Sequence, residues 1–290
     1  MSWNNTRLHL LNEHEAEGRT KEILEEIKQA LGVPCVNTMF QALAFYPRFF
    51  ELFWNTAKPA LYTQEFFIYA ERLGAEAYTR IVNYFSIPDL RNGTAATDFR
   101  NPEKSELQEA VELYDYNYSV LLLLSAALVY AFEHPDARVR EGTPLAIDSR
   151  YLKEPVLMDE DAAPLRTRRV YEDIKRTLRI PFVDLCYLGF ARWPDFLSSY
   201  WDSLKPLLRT PLYEHSRLAL RDSALSLASS LPKPLRLATS EMEEAGLSTA
   251  DIDSVIQLSE LFLNLLSKQA LNVSYARIAL EEKVPMEMAA

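Results

Sequence analysis

An internal repeat constrains this sequence more than any other feature. A shift of 147 residues places residues 21–61 on residues 168–208 without a gap, and thirteen of the forty-one aligned pairs are identical. The repeat distance far exceeds the 20–50 residues of solenoid repeats, so it predicts one unit duplicated in tandem. We expect the two copies to dock as a pseudo-twofold pair, as subunits of an isologous dimer do. The identical pairs include Pro34/Pro181, Pro47/Pro194, Trp54/Trp201 and Pro59/Pro206.

Apolar residues recur at helical spacing through most of the chain. Ile23, Ile27 and Leu31 follow one another at four-residue intervals, and Val170, Ile174 and Leu178 repeat the pattern. No run of alternating apolar and polar residues indicates a strand. The sequence therefore predicts an all-α protein with two tandem homologous helical repeats and no sheet. We expect the first repeat at residues 1–132, a proline-containing linker at 133–166 and the second repeat at 167–290.

Composition narrows the classes of partner. The chain of 290 residues has a net charge of −10, which disfavours nucleic acid and anionic membranes as partners. Seven glycines without phosphate-loop spacing argue against a nucleotide cradle. The apolar run at 118–132 is too short to cross a bilayer and predicts a buried helix. With two cysteines and no signal peptide, the protein is expected to be cytoplasmic.

No known metal or nucleophile motif occurs. The four histidines are scattered, and neither the H-E-x-x-H zinc motif nor the G-x-S-x-G nucleophile motif is present. We therefore expect no metal and no cofactor. The aromatic residues Phe66, Phe67 and Tyr69 are candidates for an exposed surface through which the chain forms a homodimer.

A polar group interrupts the apolar helix that follows residue 114. Helical geometry places Asn117 on the same side as Tyr114 and Leu121, so its amide faces packed residues. A buried amide needs hydrogen-bond partners, and these are either another helix or a ligand. The repeat places Asn264 at the equivalent position of the second half.

Two equivalent loops, 34–39 and 181–186, each join a proline-terminated helix to the next helix. Their polar residues stand where exposed backbone N–H groups bind an anion such as a carboxylate. The alternative is that Asn37 and Asp184 cap the following helices, and residue preferences favour that alternative.

A set of residues in the second half, together with the repeat equivalents in the first half, resembles the group I (D,L-) 2-haloacid dehalogenase family. The resemblance covers most of the chain. A weaker resemblance links each half to the alkylhydroperoxidase-D-like helical fold, without its redox Cys-x-x-Cys motif. Asn117, placed ahead of a leucine run, belongs to the family pattern. The other residues that carry the resemblance are Ile174, Lys175, Pro181, Phe182, Val183, Ala191, Arg192, Trp193, Pro194, Trp201, Lys205 and Pro206.

The resemblance implies an active site between the two halves and hydrolysis of short 2-haloalkanoates by an activated water that attacks C2. It implies an aspartate base on the second-half loop and an asparagine on the long first-half helix, which Asn117 matches. In the ungapped comparison the aspartate position holds Cys186. We therefore expect Asp184, two positions away, to be the replacement base and Cys186 to line the pocket. A small carboxylate is the implied ligand. We expect Asn37, Thr38, Met39, Tyr114 and Leu185 to surround this ligand.

Two other functions remain open. The first alternative to the dehalogenase interpretation is a catalytically lapsed family member that binds a small carboxylate or apolar ligand. The second is a thiol-dependent redox protein that acts through Cys186. The redox function requires an accessible thiol with a lowered pKa.

Overall fold

The computed structural model describes residues 8–91, 101–145 and 156–281, with the side chains of 101–103 excepted. These residues form helices and loops, and an isolated bridge between Thr63 and Pro144 is the one extended pairing among them. The predicted all-α class is confirmed. The helices of the first half are α1 (Gly18–Leu31), α2 (Thr38–Ala44), α3 (Pro47–Leu61), α4 (Gln64–Tyr84) and α5 (Asn101–Glu133). Those of the second half are α6 (Leu165–Leu178), α7 (Leu185–Phe190), α8 (Pro194–Leu204), α9 (Pro211–Ser229), α10 (Thr239–Glu244) and α11 (Thr249–Leu280).

Helix boundaries follow the internal repeat. Helices α6, α7, α8 and α9 each begin 147 residues after α1, α2, α3 and α4, and α11 ends 147 residues after α5. The same residue types set these boundaries in both halves. Pro47 and Pro194 occupy the first turns of α3 and α8, where the missing N–H costs nothing. The duplication therefore extends to local structure, whereas the pseudo-twofold docking of the halves stays a prediction.

A hydrogen-bonded cluster recurs at equivalent positions and explains two of the identical pairs. In the first half the indole Nε1 of Trp54 and the Nζ of Lys58 both donate to Glu26 Oε2, each at 2.7 Å. In the second half Trp201 and Lys205 donate to Asp173 Oδ2 at 2.8 and 2.6 Å. Each cluster ties the third helix of its half to the first.

The long helices α5 and α11 pack against each other, and α4 and α9 pack against both. The apolar run at 118–132 lies in α5 and is largely buried, as predicted. By length and composition α5 is the one helix among the described residues that could span a membrane, but 83% of its apolar window is buried inside the protein.

The connection between the halves begins after Glu133 and ends before Leu165. Its first part contacts both halves: Gln64 N donates to Thr143 O at 2.9 Å, and Arg140 N donates to Pro232 O at 2.7 Å. Residues 146–155 of the predicted linker lie outside the described residues. The domain boundaries stay a prediction.

One expectation about the surface is wrong. Phe66 is fully buried and packs edge-to-face against Phe67, with ring centroids 5.4 Å apart, while Phe67 and Tyr69 are half-buried. Phe66 is one of the buried apolar residues of α4, which packs against α5, α9 and α11. The exposed apolar residue of this segment is Ile68. The homodimer stays a prediction.

Candidate active site

The two equivalent loops cap the helices that follow them. Asn37 Oδ1 accepts a hydrogen bond from Met39 N at 3.0 Å, and Asp184 Oδ1 accepts one from Leu185 N at 2.8 Å. The cap interpretation is confirmed in both halves. Because the caps occupy these amides and α2 and α7 have only seven and six residues, the helix ends are poor anion sites.

Asp184 is a buried carboxyl held by three groups. Its side chain is 1% exposed, and Oδ2 accepts a hydrogen bond from Gln269 Nε2 at 2.8 Å. Burial raises the pKa of Asp184 above its ordinary value, while Leu185 N–H, Gln269 and the Tyr118 hydroxyl stabilise the ionised form and limit the rise. A carboxyl of this kind binds a proton more readily than a surface aspartate, which suits a general base.

Cys186 lies beside Asp184 and is fully buried. Its backbone N donates to the hydroxyl of Tyr118 at 3.3 Å. Burial and the neighbouring charge of Asp184 raise the pKa of the Cys186 thiol well above its ordinary value. The thiol is therefore protonated at neutral pH and inaccessible, which is the reverse of what redox or nucleophilic chemistry needs.

Tyr114 links the two loops. Burial raises the pKa of its hydroxyl well above its ordinary value, and the nearby Cys35, Cys186 and Asp184 raise it further. The Tyr114 hydroxyl has no hydrogen-bond partner among the described residues. The Nδ2 of Asn37 is likewise buried and unpartnered in this part of the chain.

The paired asparagines of the long helices have different environments. Asn264 accepts a hydrogen bond from Arg217 Nη1 at 3.0 Å and donates to Glu260 O at 2.8 Å, so its role is structural. Asn117 is 3% exposed, and within the described ranges its amide has no hydrogen-bond partner. It lies three residues after Tyr114 and hence on the same helix face. The role of Asn117 toward a water or a ligand stays a prediction.

The remaining predicted residues flank these groups. Thr38 and Met39 form the first turn of α2, Leu185 begins α7, and all three are buried. The backbone N–H groups of Met39 and Leu185 donate to the caps Asn37 and Asp184. The role of all three as lining residues stays a prediction. No group of three or more His, Cys, Asp or Glu residues that could hold a metal occurs in the described part of the chain.

Sequence reasoning missed the groups that surround Asp184. Gln269 and Tyr118 contact it directly, and Tyr187 and Asn272 contact Gln269. A signal was present in the repeat, because the first half has Leu122 where the second has Gln269. A buried apolar residue replaced by a polar one in the other copy points to a local polar role.

Solved structures with the same architecture are D-2-haloacid dehalogenases. One is a D-2-haloacid dehalogenase mutant in complex with D-2-CPA and another is the enzyme with L-LA. Each superimposes on this chain with a TM-score of 0.89 and 27% identity, covering 96% of this chain and 97% of the other. The fold thus defines an all-α protein of the haloacid dehalogenase class.

The family follows from the sequence comparisons. The family model described as halocarboxylic acid dehydrogenase DehI matches residues 34–184, and the chain belongs to this family. An (R)-2-haloacid dehalogenase of Pseudomonas putida is 29% identical over 91% of this chain and 89% of its own length. An (R)-2-haloacid dehalogenase of Rhizobium sp. (strain NHG3) is 26% identical over 78% of this chain and 88% of its own length.

Proposed function

We propose that this protein hydrolyses short 2-haloalkanoates to 2-hydroxyalkanoates, with Asp184 as general base. The observation that carries the proposal is the buried Asp184 carboxyl, whose pKa is raised by burial and whose oxygens are held by Leu185 N and Gln269. The relatives are named as haloacid dehalogenases, which agrees with this chemistry.

The reaction needs no covalent intermediate. Asp184 takes a proton from water while the water oxygen forms a bond to C2, and the C2–halogen bond breaks with its electron pair leaving as halide. A direct displacement of this kind inverts the configuration at C2. The nucleophile is water because the neighbouring Cys186 thiol is buried and its pKa is raised.

Uncharged donors are placed to bind the substrate. The Tyr114 hydroxyl and Asn37 Nδ2 are buried without partners in the described structure, and such groups carry a desolvation cost that a ligand removes. Asn117 presents its amide on the same helix face as Tyr114. We assign these three residues to the substrate carboxylate, the departing halide and the attacking water as a set. Thr38, Met39 and Leu185 complete the walls of the proposed substrate site.

The test is halide release from both enantiomers of 2-chloropropionate. Asp184→Asn removes the base and is expected to lower the rate by about 10²–10⁴-fold. Asp173→Asn is the matched control, since it alters a second-half carboxylate that contacts Trp201 and Lys205 instead. One turnover in ¹⁸O-labelled water should label the hydroxy acid and leave Asp184 unlabelled.

Other outcomes contradict the assignment. Full activity in Asp184→Asn would remove Asp184 as base. An inactive wild type whose melting temperature rises with 2-chloropropionate would identify a binding protein. If, in addition, Cys186→Asp gained activity, the chain would be a lapsed dehalogenase.

A further inference from the structure

A series of buried hydrogen bonds leads from Asp184 to residues of α11 and α9. Gln269 donates through Nε2 to Asp184, while its Oε1 accepts from the Tyr187 hydroxyl at 3.0 Å and from Asn272 Nδ2 at 3.2 Å. The Tyr213 hydroxyl donates to Asn272 Oδ1 at 2.7 Å. Gln269 and Asn272 have no exposed surface, so water does not compete for these bonds.

These contacts determine which way each amide faces. The Tyr213 hydroxyl has two acceptors within reach, Asn272 Oδ1 at 2.7 Å and Lys268 O at 3.2 Å. The shorter contact favours donation to Asn272 Oδ1, which directs Asn272 Nδ2 toward Gln269 Oε1 and the Tyr187 hydroxyl. With Oε1 engaged by two donors, the Nε2 of Gln269 must face Asp184. A proton on Asp184 Oδ2 would then face the N–H donor of Gln269. To accept that proton, the side-chain amides of both Gln269 and Asn272 would have to rotate by half a turn. The arrangement favours the ionised carboxylate.

The first half has no such series at the equivalent positions. Apolar residues replace the central members, and two of the polar residues left there have buried atoms without partners, Asn37 Nδ2 and Ser125 Oγ. The pairs are Asp184/Asn37, Tyr187/Phe40, Tyr213/Phe66, Gln269/Leu122 and Asn272/Ser125. The fold therefore does not require the polar series, because the other copy forms the same helices without it.

We propose that Gln269, oriented by Tyr187 and Asn272, is a positioning residue that keeps Asp184 ionised and its free electron pair directed at the attacking water. The proposal rests on the proposed function of Asp184 as base. Tyr213 acts one step further away, because it orients Asn272.

Among the described residues, the groups that lie near Asp184 on the packed helices are otherwise neutral. Tyr114 and Tyr118 face it from α5, and Cys186 and Tyr187 face it from α7. Burial raises the pKa of all four, so each keeps its proton near neutral pH. Gln269 contacts it from α11. The titration of Asp184 is thus governed by burial and by donated hydrogen bonds.

The test is the pH profile of kcat/KM for halide release in Gln269→Leu, which installs the first-half residue. Loss of a hydrogen bond to the carboxylate is expected to move the acid limb upward by about one pH unit, with activity recovering at high pH. Tyr213→Phe removes only the distant hydroxyl and should shift the limb in the same direction by less. Ser267→Ala is the control: it removes a buried hydrogen bond of α11 to Asn264 O, outside the series.

A second measurement separates this proposal from the reaction itself. The carboxyl ¹³C signal of Asp184 is titrated in wild type and in the three variants, without substrate. An upward shift in Gln269→Leu supports the positioning role even if wild type releases no halide, an outcome that would remove only the proposed function. An unmoved carboxyl titration in folded Gln269→Leu and Tyr213→Phe would overturn the positioning role, as would an unmoved acid limb in active enzyme.

Discussion

The hydroxyl of Tyr114 lies directly against the Cα of Gly189, so that a Cβ at position 189 would overlap the tyrosine oxygen and ring. Tyr114 comes from α5 of the first half and Gly189 from α7 of the second. The neighbouring Phe190 packs edge-to-face on the same ring, with centroids 5.5 Å apart. The absence of a side chain at 189 therefore lets a first-half tyrosine approach the loop that carries Asp184.

Gly189→Ala should displace the Tyr114 ring. Overpacking of this kind is expected to cost about 1–3 kcal/mol of unfolding free energy and to lower halide release with it. In a Tyr114→Ala background the ring is gone, and the same Gly189→Ala change should become neutral or slightly stabilising, because alanine favours a helix more than glycine. Thermal and urea unfolding of the four proteins in this cycle measures the coupling. Additive costs would show that the two residues do not touch.

Cys186→Ala should leave the reaction in place. The thiol is buried and protonated, so its removal leaves a small cavity that costs about 1 kcal/mol of stability. Halide release is expected to change by less than about tenfold, against the larger loss in Asp184→Asn. In the folded wild type, iodoacetamide should label Cys186 only as fast as the protein opens. Rapid alkylation at neutral pH, or inactivity of Cys186→Ala, would restore the thiol as a catalytic group.

The all-α class was predictable from the sequence because it rests on local rules. Prolines stop helices, apolar residues repeat at helical spacing, and identical residues recur at a fixed distance of 147. The cap roles of Asn37 and Asp184 follow from the same local chemistry. Helix ends, helical spacing and caps depend on residues close in the chain, and the repeat is visible in the residue identities alone.

The surroundings of Asp184 depend on contacts between distant residues. Gln269 is 85 residues away in sequence, and nothing near it indicates that its amide meets a carboxyl. Composition likewise does not show which side of α4 is buried, so it predicts a surface position for Phe66, which is fully buried. The repeat spacing places Asn117 and Asn264 at equivalent helix positions. Their hydrogen-bond partners differ, because Arg217 lies beside Asn264 alone.

Glu26 should make stability depend on pH in the acid range. Hydrogen bonds from Lys58, Trp54 and Arg19 lower the pKa of Glu26 from 4.5 to about 2. A folded-state pKa below the unfolded one stabilises the protein above about pH 4.5, and this contribution is lost as pH falls through about 2. Glu26→Gln should cost about 1 kcal/mol at pH 7 and much less near pH 2.

The control for this change is Glu22→Gln, which removes a more exposed partner of Arg19. It should alter the unfolding free energy by no more than about 0.5 kcal/mol. Urea unfolding at several pH values gives both differences. Equal effects of the two substitutions at pH 7 would show that the contacts of Glu26 with Trp54 and Lys58 contribute no stability beyond that of a surface charge.

Asn117→Ala and Asn264→Ala form a matched pair, because the two residues are equivalent in the repeat. Asn264→Ala deprives Arg217 of a hydrogen-bond acceptor and should cost about 1–2 kcal/mol of stability with little change in halide release. Asn117→Ala removes an amide without a protein partner in the described structure, so it should spare stability and lower the rate at least about tenfold. Calorimetry and halide release on both variants measure the contrast. The reverse pattern would make Asn117 the structural member of the pair.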